Sequence, residues 1–274
     1  MTFLKKLNYI VKKNNSLVCV GLDSDITKIP SFLMTEKYPQ FTFNKKIVDQ
    51  THDLVCGYKP NSAFYEARGD QGIKELKMTF DYLVKNYPEI PLILDAKRAD
   101  IVNTNFGYLK YAFDYLNADA ITVQPYLGQE AIQPFLDRKD KGIIVLCKTS
   151  NPGAGEFQDL KIKGRPLYEQ IARQVINKWN TNHNCLLVVG ATYPVELKRI
   201  RKIVGNKMWF LIPGIGKQGG DLEKTIKAGQ NSLHNGLIIN SSRDIIFASF
   251  ENDFSQKARE QALKLKEDIN RFRS

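Results

Sequence analysis

The chain has 274 residues, a length that suits one large domain or two small ones, and its 43% hydrophobic and 25% charged content is that of an ordinary globular protein. No apolar run approaches the length a helix needs to cross a bilayer. The formal net charge of +11 favours anionic partners, without saying whether the anion is a nucleic acid, a membrane surface or a phosphorylated metabolite.

At the N-terminus, Phe3, Leu4, Leu7, Ile10 and Val11 recur at helical spacing with lysines between them. That predicts a short amphipathic helix packed on the domain. It lacks the continuous apolar centre of a signal peptide, and a transit peptide fits poorly because a core strand begins at Ser16. Eight apolar runs then follow, at 16–23, 54–61, 91–97, 120–126, 142–150, 185–192, 208–215 and 236–242. Most are continuously rich in Val, Ile and Leu, as parallel strands buried on both faces are.

Helix signals separate the runs. Residues 73–87 place Leu76, Phe80, Leu83 and Val84 on one face, and 166–180 open near Pro166 and carry Ile171, Val175 and Ile176. Residues 221–230 begin with an Asp suited to capping, and the last twenty or so residues are amphipathic. Eight strand–helix alternations with no linker or low-complexity stretch predict a single-domain (β/α)8 barrel with a short N-terminal helix; a doubly wound open sheet is the alternative.

Cys19, Cys56, Cys147 and Cys185 each lie in an apolar run without a C-x-x-C pair, which predicts buried free thiols in a reducing cytoplasm. His52, His183 and His234 lack metal-ligand spacing. The densest basic run, 197–207, has Leu197, Ile200 and Val204 at helical spacing, so most of its charge is expected on a solvated face. The aromatic–basic interleaving of single-strand binders is missing.

The runs end in polar residues: Asp23, Lys59 and Asn61, Asp95 and Lys97, Gln124, Lys148 and Ser150, Asn240 and Ser242. In a (β/α)8 barrel that end carries the catalytic groups. Within "LDAKRAD" (94–100), strand alternation puts Asp95 and Lys97 on one face, Arg98 on the other and Asp100 in the loop beyond. With Lys59 from the neighbouring strand they make an array of two cations and two anions that keeps its members ionised. The same spacing also suits a solvated charged turn.

"PGIGKQGGD" (213–221) follows the seventh run and "NSSRD" (240–244) the eighth, where barrel phosphate sites recur. Glycines admit backbone amides to the phosphate oxygens and Arg243 can grip two of them. Gly214, Gly216 and Gly219 also spell the dinucleotide fingerprint. Seven strands precede it, however, and the next strand ends in Asn240 with no acid there to hold a ribose.

Taken in order, "YKPNSAFYE" (58–66), "LDAKRADI" (94–101), "VLCKTSNPGAGEF" (145–157), "IPGIGKQGGD" (212–221) and "INSSRD" (239–244) resemble the motifs of the orotidine 5'-phosphate decarboxylase family, in its longer bacterial form, over nearly the whole chain. The resemblance implies loss of carbon dioxide from orotidine 5'-monophosphate to give UMP in pyrimidine biosynthesis, with no metal or organic cofactor, by a homodimer acting on no nucleic acid and no membrane. It implies a charged tetrad of Lys59, Asp95, Lys97 and Asp100. Lys97 would give a proton to C6 of the pyrimidine, Asp95 would lie beside the departing carboxylate and Lys59 would orient it. Asp100, with Thr104, would reach the partner's site. Asp23 would bind a ribose hydroxyl, Asn61 the ribose or the tetrad, Ser150 the pyrimidine edge, and Gln218 and Arg243 the phosphate. One departure is Ser242, where many members have Gly before the phosphate arginine.

Sugar-phosphate barrels that share D-x-K-x-x-D use Mg2+ and further acids at the strand ends, whereas here the second strand ends in Lys59 and Asn61. A Schiff-base lysine is disfavoured by flanking carboxylates, which keep it protonated. A nucleic-acid binder explains the net charge but not the ordered charges at the strand ends. Two segments, 66–77 and 156–165, are left as longer loops flanking the site or surface insertions.

Overall fold

A computed structural model describes residues 1–216 and 219–273. Among them, eight parallel strands form one sheet: β1 (Val18–Val20), β2 (Gly57–Tyr58), β3 (Ile93–Arg98), β4 (Ala120–Val123), β5 (Gly142–Lys148), β6 (Cys185–Val189), β7 (Phe210–Ile212) and β8 (Leu237–Ser241). Each pairs with its sequence neighbour, and β8 returns to β1 with Val18 opposite Ile239 and Cys19 opposite Asn240. The β2–β3 seam is narrower. It is bridged at Tyr58–Leu92 and Asn61–Asp95, with the Asp95 N–H donating to Pro60 O at 3.0 Å and the Ser62 N–H to Asp95 O at 3.2 Å. This is the (β/α)8 barrel, and the open doubly wound sheet is excluded by the β8–β1 pairing and the bridged seam.

The strands are buried on both faces because helices wrap them. The helix over Gly69–Asn86 buries Leu76, Phe80 and Leu83, while Leu222–Gly229 is capped by the Asp221 carboxylate, which accepts the Lys224 N–H at 3.0 Å. Pro166 precedes the helix at Leu167–Gln174, which widens into a π-helical stretch over Val175–Trp179. The helix Phe3–Asn14 closes the bottom of the barrel. Its Phe3 ring lies against Gly142, where an added Cβ would stand 2.5 Å from Cδ1, and its Lys6 pairs with Asp119 at 2.6 Å. Among the described residues no helix is long and apolar enough to cross a membrane. All four cysteines are buried and free.

One expectation about an individual side chain fails, and one basic residue departs from its exposed neighbours. Val84 is 40% exposed, because at 100° per residue it lies about 80° round the helix from Leu76, at the edge of the apolar stripe. Arg201, inside the basic run, is buried. It donates to the carbonyls of Gly229, Gly205, Met208 and Gly236 and stacks on Phe210, and the desolvation pushes its pKa down to about 10. The neighbouring Lys198, Arg199 and Lys202 are exposed as expected.

The two unassigned segments are now placed. Residues 66–77 turn at Arg68 into the helix Gly69–Asn86, with Arg68 bonded to Glu75 and Gln40. Residues 156–165 finish a short helix and form a two-stranded hairpin, Lys161–Ile162 with Arg165–Pro166, whose turn residues Lys163 and Gly164 both have positive φ.

Candidate active site

At the C-terminal end of the strands lies a cavity of about 600 Å³, within the usual range for small-molecule sites. Its lining includes Asp23, Lys59, Asn61, Asp95, Lys97, Ser150 and Arg243. Asp100 and Thr104 stand outside it, Thr104 on the surface, at the start of the helix Val102–Leu109. Gln218 lies outside the described residues. Of the other strand-end polar residues, Asn240 and Ser242 face the cavity, while Gln124 and Lys148 are turned to other partners.

Alternation sets the facing of Lys59. Tyr58 points outward, its hydroxyl 2.7 Å from Thr51 Oγ1, so the next side chain points inward. The bridged β2–β3 seam then brings Lys59 to Asp95, with Nζ donating to Oδ2 at 2.8 Å. The other carboxylate oxygen, Oδ1, accepts from Lys97 Nζ at 2.7 Å and from Thr122 Oγ1 at 2.9 Å.

Plain strand alternation does not describe how Lys97 gets there. Leu94 pairs with Ile121 and Arg98 with Val123, so β3 bulges between those pairs, and Lys97 sits at φ +49° in the left-handed region. Thr122 fills the bulge: its Oγ1 accepts the Ala96 and Lys97 N–H groups at 3.0 and 2.9 Å. Arg98 turns away, as expected, pairing with Glu66 and lying over the Tyr108 ring.

The electrostatics follow from burial and pairing together. Burial alone would raise the Asp95 pKa, but the ammonium groups of Lys59 and Lys97 outweigh it and hold the carboxyl well below its usual range. Burial alone would lower that of Lys59, but Asp95 and Asp23 outweigh it and hold the ammonium above its ordinary value. Lys59 is buried, whereas the Lys97 side chain is 48% exposed, so one cation is locked in the wall and the other faces the open cavity.

Around this centre, Asp23 Oδ1 accepts the Asn61 N–H at 3.2 Å, and Asn61 Oδ1 accepts the Ala63 N–H at 3.1 Å. On the far side, Gly214, Ser242 and Arg243 line the cavity where β7 and β8 end. Ser242 is accommodated by Gly21: its hydroxyl donates to Gly21 O at 3.0 Å, and a Cβ on residue 21 would stand 2.7 Å from Ser242 Cβ. Gly216, at φ +85°, approaches Asp244 so closely that a Cβ would lie 1.8 Å from Oδ2. The Gly220 N–H donates to Gly214 O at 3.1 Å, next to the cavity that Gly214 lines.

Several polar residues of the wall escaped the reading of site residues, among them Thr122, Thr149, Asn151, Gln158 and Asn240. Thr122 resembles any β-branched strand residue in sequence. Asn240 was legible only as a polar strand end; it is buried, lines the cavity, and its Oδ1 has no hydrogen-bond partner. Among the described residues, no group of three or more His, Cys, Asp or Glu side chains is placed to hold a metal.

Comparison with known proteins gives a consistent result. The family model described as "Orotidine 5'-phosphate decarboxylase / HUMPS family" matches residues 16–258. The chain is 48% identical over 272 residues to the orotidine 5'-phosphate decarboxylase of Cellvibrio japonicus, covering 98% of each chain. It is 45% identical over 272 residues to that of Janthinobacterium sp., covering 99% of each. Among solved structures, Leishmania donovani OMP decarboxylase superposes with a TM-score of 0.87 at 39% identity, covering 100% of this chain and 99% of that one.

Proposed function

The chain belongs to the orotidine 5'-phosphate decarboxylase / HUMPS family and is a carboxy-lyase, and from that premise we propose how its residues convert orotidine 5'-monophosphate to UMP. The observation that carries the reading is the Lys59–Asp95–Lys97 cluster: a carboxylate held ionised between two ammonium groups, one of which faces the cavity.

The phosphate binds where β7 and β8 end, to Arg243 and Gln218 and to backbone amides of the glycine segment. Asp23 and Asn61 take the ribose hydroxyls, and Ser150 takes the pyrimidine edge. These contacts place the substrate carboxylate beside Asp95. The C6–carboxylate bond breaks, carbon dioxide leaves, and the electron pair remains on C6. The Lys97 ammonium stabilises that charge and delivers a proton to C6; the lysine then regains a proton from solvent. Lys59 keeps Asp95 ionised and oriented, so the site is arranged before substrate arrives.

The reading needs neither metal nor cofactor. Both oxygens of Asp95 are already occupied by ammonium groups, and a lysine supplies the proton. Asp100 and Thr104 complete the partner's site in a homodimer. In support, they adjoin exposed Ile101 and Phe106, with exposed Tyr126 and Leu127 near the end of β4, an apolar surface that a second copy would cover. The four buried free thiols suit a reducing compartment such as the cytoplasm.

The test is incubation of orotidine 5'-monophosphate with purified protein and a chelator, followed by chromatography. Stoichiometric UMP is expected. Unchanged substrate rejects the reaction, and turnover that appears only with added Mg2+ rejects the metal-free mechanism.

A further inference from the structure

We propose that the ion pair between Lys148 and Asp159 is a clasp that positions the cavity-lining loop between them, making both positioning residues for recognition of the base. The proposal rests on the reading above, in which that loop meets the pyrimidine.

Lys148 ends β5 and is fully buried, yet it does not line the cavity. Its Nζ donates to Asp159 Oδ1 at 2.7 Å and lies 4.4 Å from the centre of the Tyr193 ring and 5.7 Å from that of Tyr168. The Asp159 side chain, by contrast, is 51% exposed. The pull is therefore one-sided. A desolvated ammonium needs its carboxylate, and the carboxylate, free to enter water, is held in place by it.

These two residues bracket residues 149–158, which contribute Thr149, Ser150, Asn151 and Gln158 to the cavity wall. A second tie lies just inside the first. The Thr149 N–H donates to Gln158 Oε1 at 2.9 Å, and Gln158 Nε2 donates to Thr149 Oγ1 at 2.8 Å. Thr149 Oγ1 in turn donates to Asn151 Oδ1 at 2.6 Å. Joining the two ends of a loop removes much of its conformational freedom, so side chains on it meet a ligand already ordered.

Two glycines make room for this arrangement. A Cβ on Gly155 would stand 2.9 Å from Asp159 Oδ2, on the clasp itself. A Cβ on Gly190 would stand 2.8 Å from Ser150 Cα, and the Gly190 N–H donates to Lys148 O at 2.7 Å, which seats the loop on the end of β6.

The experiment compares the full-length parent with Asp159→Asn, Asp159→Glu and Gly155→Ala. Gly155→Ala crowds the carboxylate without altering either charge. Titration with UMP, which has a base, is set beside titration with ribose 5-phosphate, which has none. In Asp159→Asn and Gly155→Ala the affinity for UMP should fall about tenfold, the scale of one charge-assisted hydrogen bond, with ribose 5-phosphate unchanged. KM for orotidine 5'-monophosphate should rise more than kcat falls, and Asp159→Glu should recover part of the loss. Equal weakening of both ligands would mean a merely structural pair and overturn the proposal. So would unchanged UMP affinity in both variants of a parent that turns over substrate. A parent that does not turn over substrate rejects the reaction itself, and the role of the clasp with it.

Discussion

The hydroxyl of Thr122 donates to Asp95 Oδ1 at 2.9 Å while its oxygen accepts the N–H groups of Ala96 and Lys97. One buried side chain thus holds both the bulge that aims Lys97 and the carboxylate that Lys97 meets. Thr122→Val keeps the shape and loses all three bonds, leaving two amides without partners. Stability should fall by about 2 kcal/mol and kcat/KM by at least about tenfold. Thr122→Ser should keep most of both. Urea unfolding and steady-state kinetics on the three proteins decide it.

Lys59 and Asp95 form a buried pair, and such pairs are costly to break from one side only. Lys59→Met should destabilise the fold by about 3–5 kcal/mol by leaving Asp95 with one ammonium instead of two. The double variant Lys59→Met, Asp95→Leu should regain most of that stability in denaturant unfolding and have no measurable turnover. A double variant as unstable as the single one would mean that the loss comes from packing and not from charge.

The same pair sets a pH window for stability. Asp95 is held below its ordinary value of 3.8, so its contribution is present above that value and is lost as pH falls through it toward the folded-state value. Lys59 is held above its ordinary 10.5, so its contribution is present below that value and is lost as pH rises toward the folded-state value. The stability difference between the parent and Asp95→Asn should therefore be flat from about pH 5 to 9 and shrink below about pH 4. Unfolding curves of both proteins across that range measure it.

Because Asp100 and Thr104 stand outside the cavity of their own chain, a shared site predicts complementation between subunits. Lys97→Ala and Asp100→Ala should each be nearly inactive alone. Mixed, dissociated and reassociated, they should recover about a quarter of the parental activity, since half of the dimers are hybrids and each hybrid has one intact site. No recovery would place Asp100 in its own chain's site or outside catalysis.

The barrel was legible because parallel strands buried on both faces leave long Val/Ile/Leu runs, and each of the eight runs overlaps a strand of the sheet. The meeting of Lys59 and Asp95 was legible because strand order and alternation determine it, whereas Lys97 joins them through a bulge that alternation does not describe. What escaped depends on local departures from those rules. The bulge at 94–98 and the positive φ of Lys97 leave no compositional mark, and neither does the use of a strand threonine to fill the bulge. Arg201 sits in a basic run most of whose charge is on a solvated face, and nothing in its sequence marks it as the residue whose guanidinium is buried where four carbonyls converge. Lys148 looked like another mouth residue, and only the packing of Tyr193 and the position of Asp159 reveal that it faces away from the cavity.

The central claim is that the cavity-facing ammonium of Lys97 carries out the chemistry. It is tested most directly by the change in absorbance as orotidine 5'-monophosphate is consumed by the parent and by Lys97→Ala, with chelator present and UMP affinity measured in parallel. The account predicts rapid turnover by the parent, a loss of several orders of magnitude in kcat for the variant, and UMP affinity within about tenfold of the parent's. Turnover by Lys97→Ala at a rate near the parent's would contradict it.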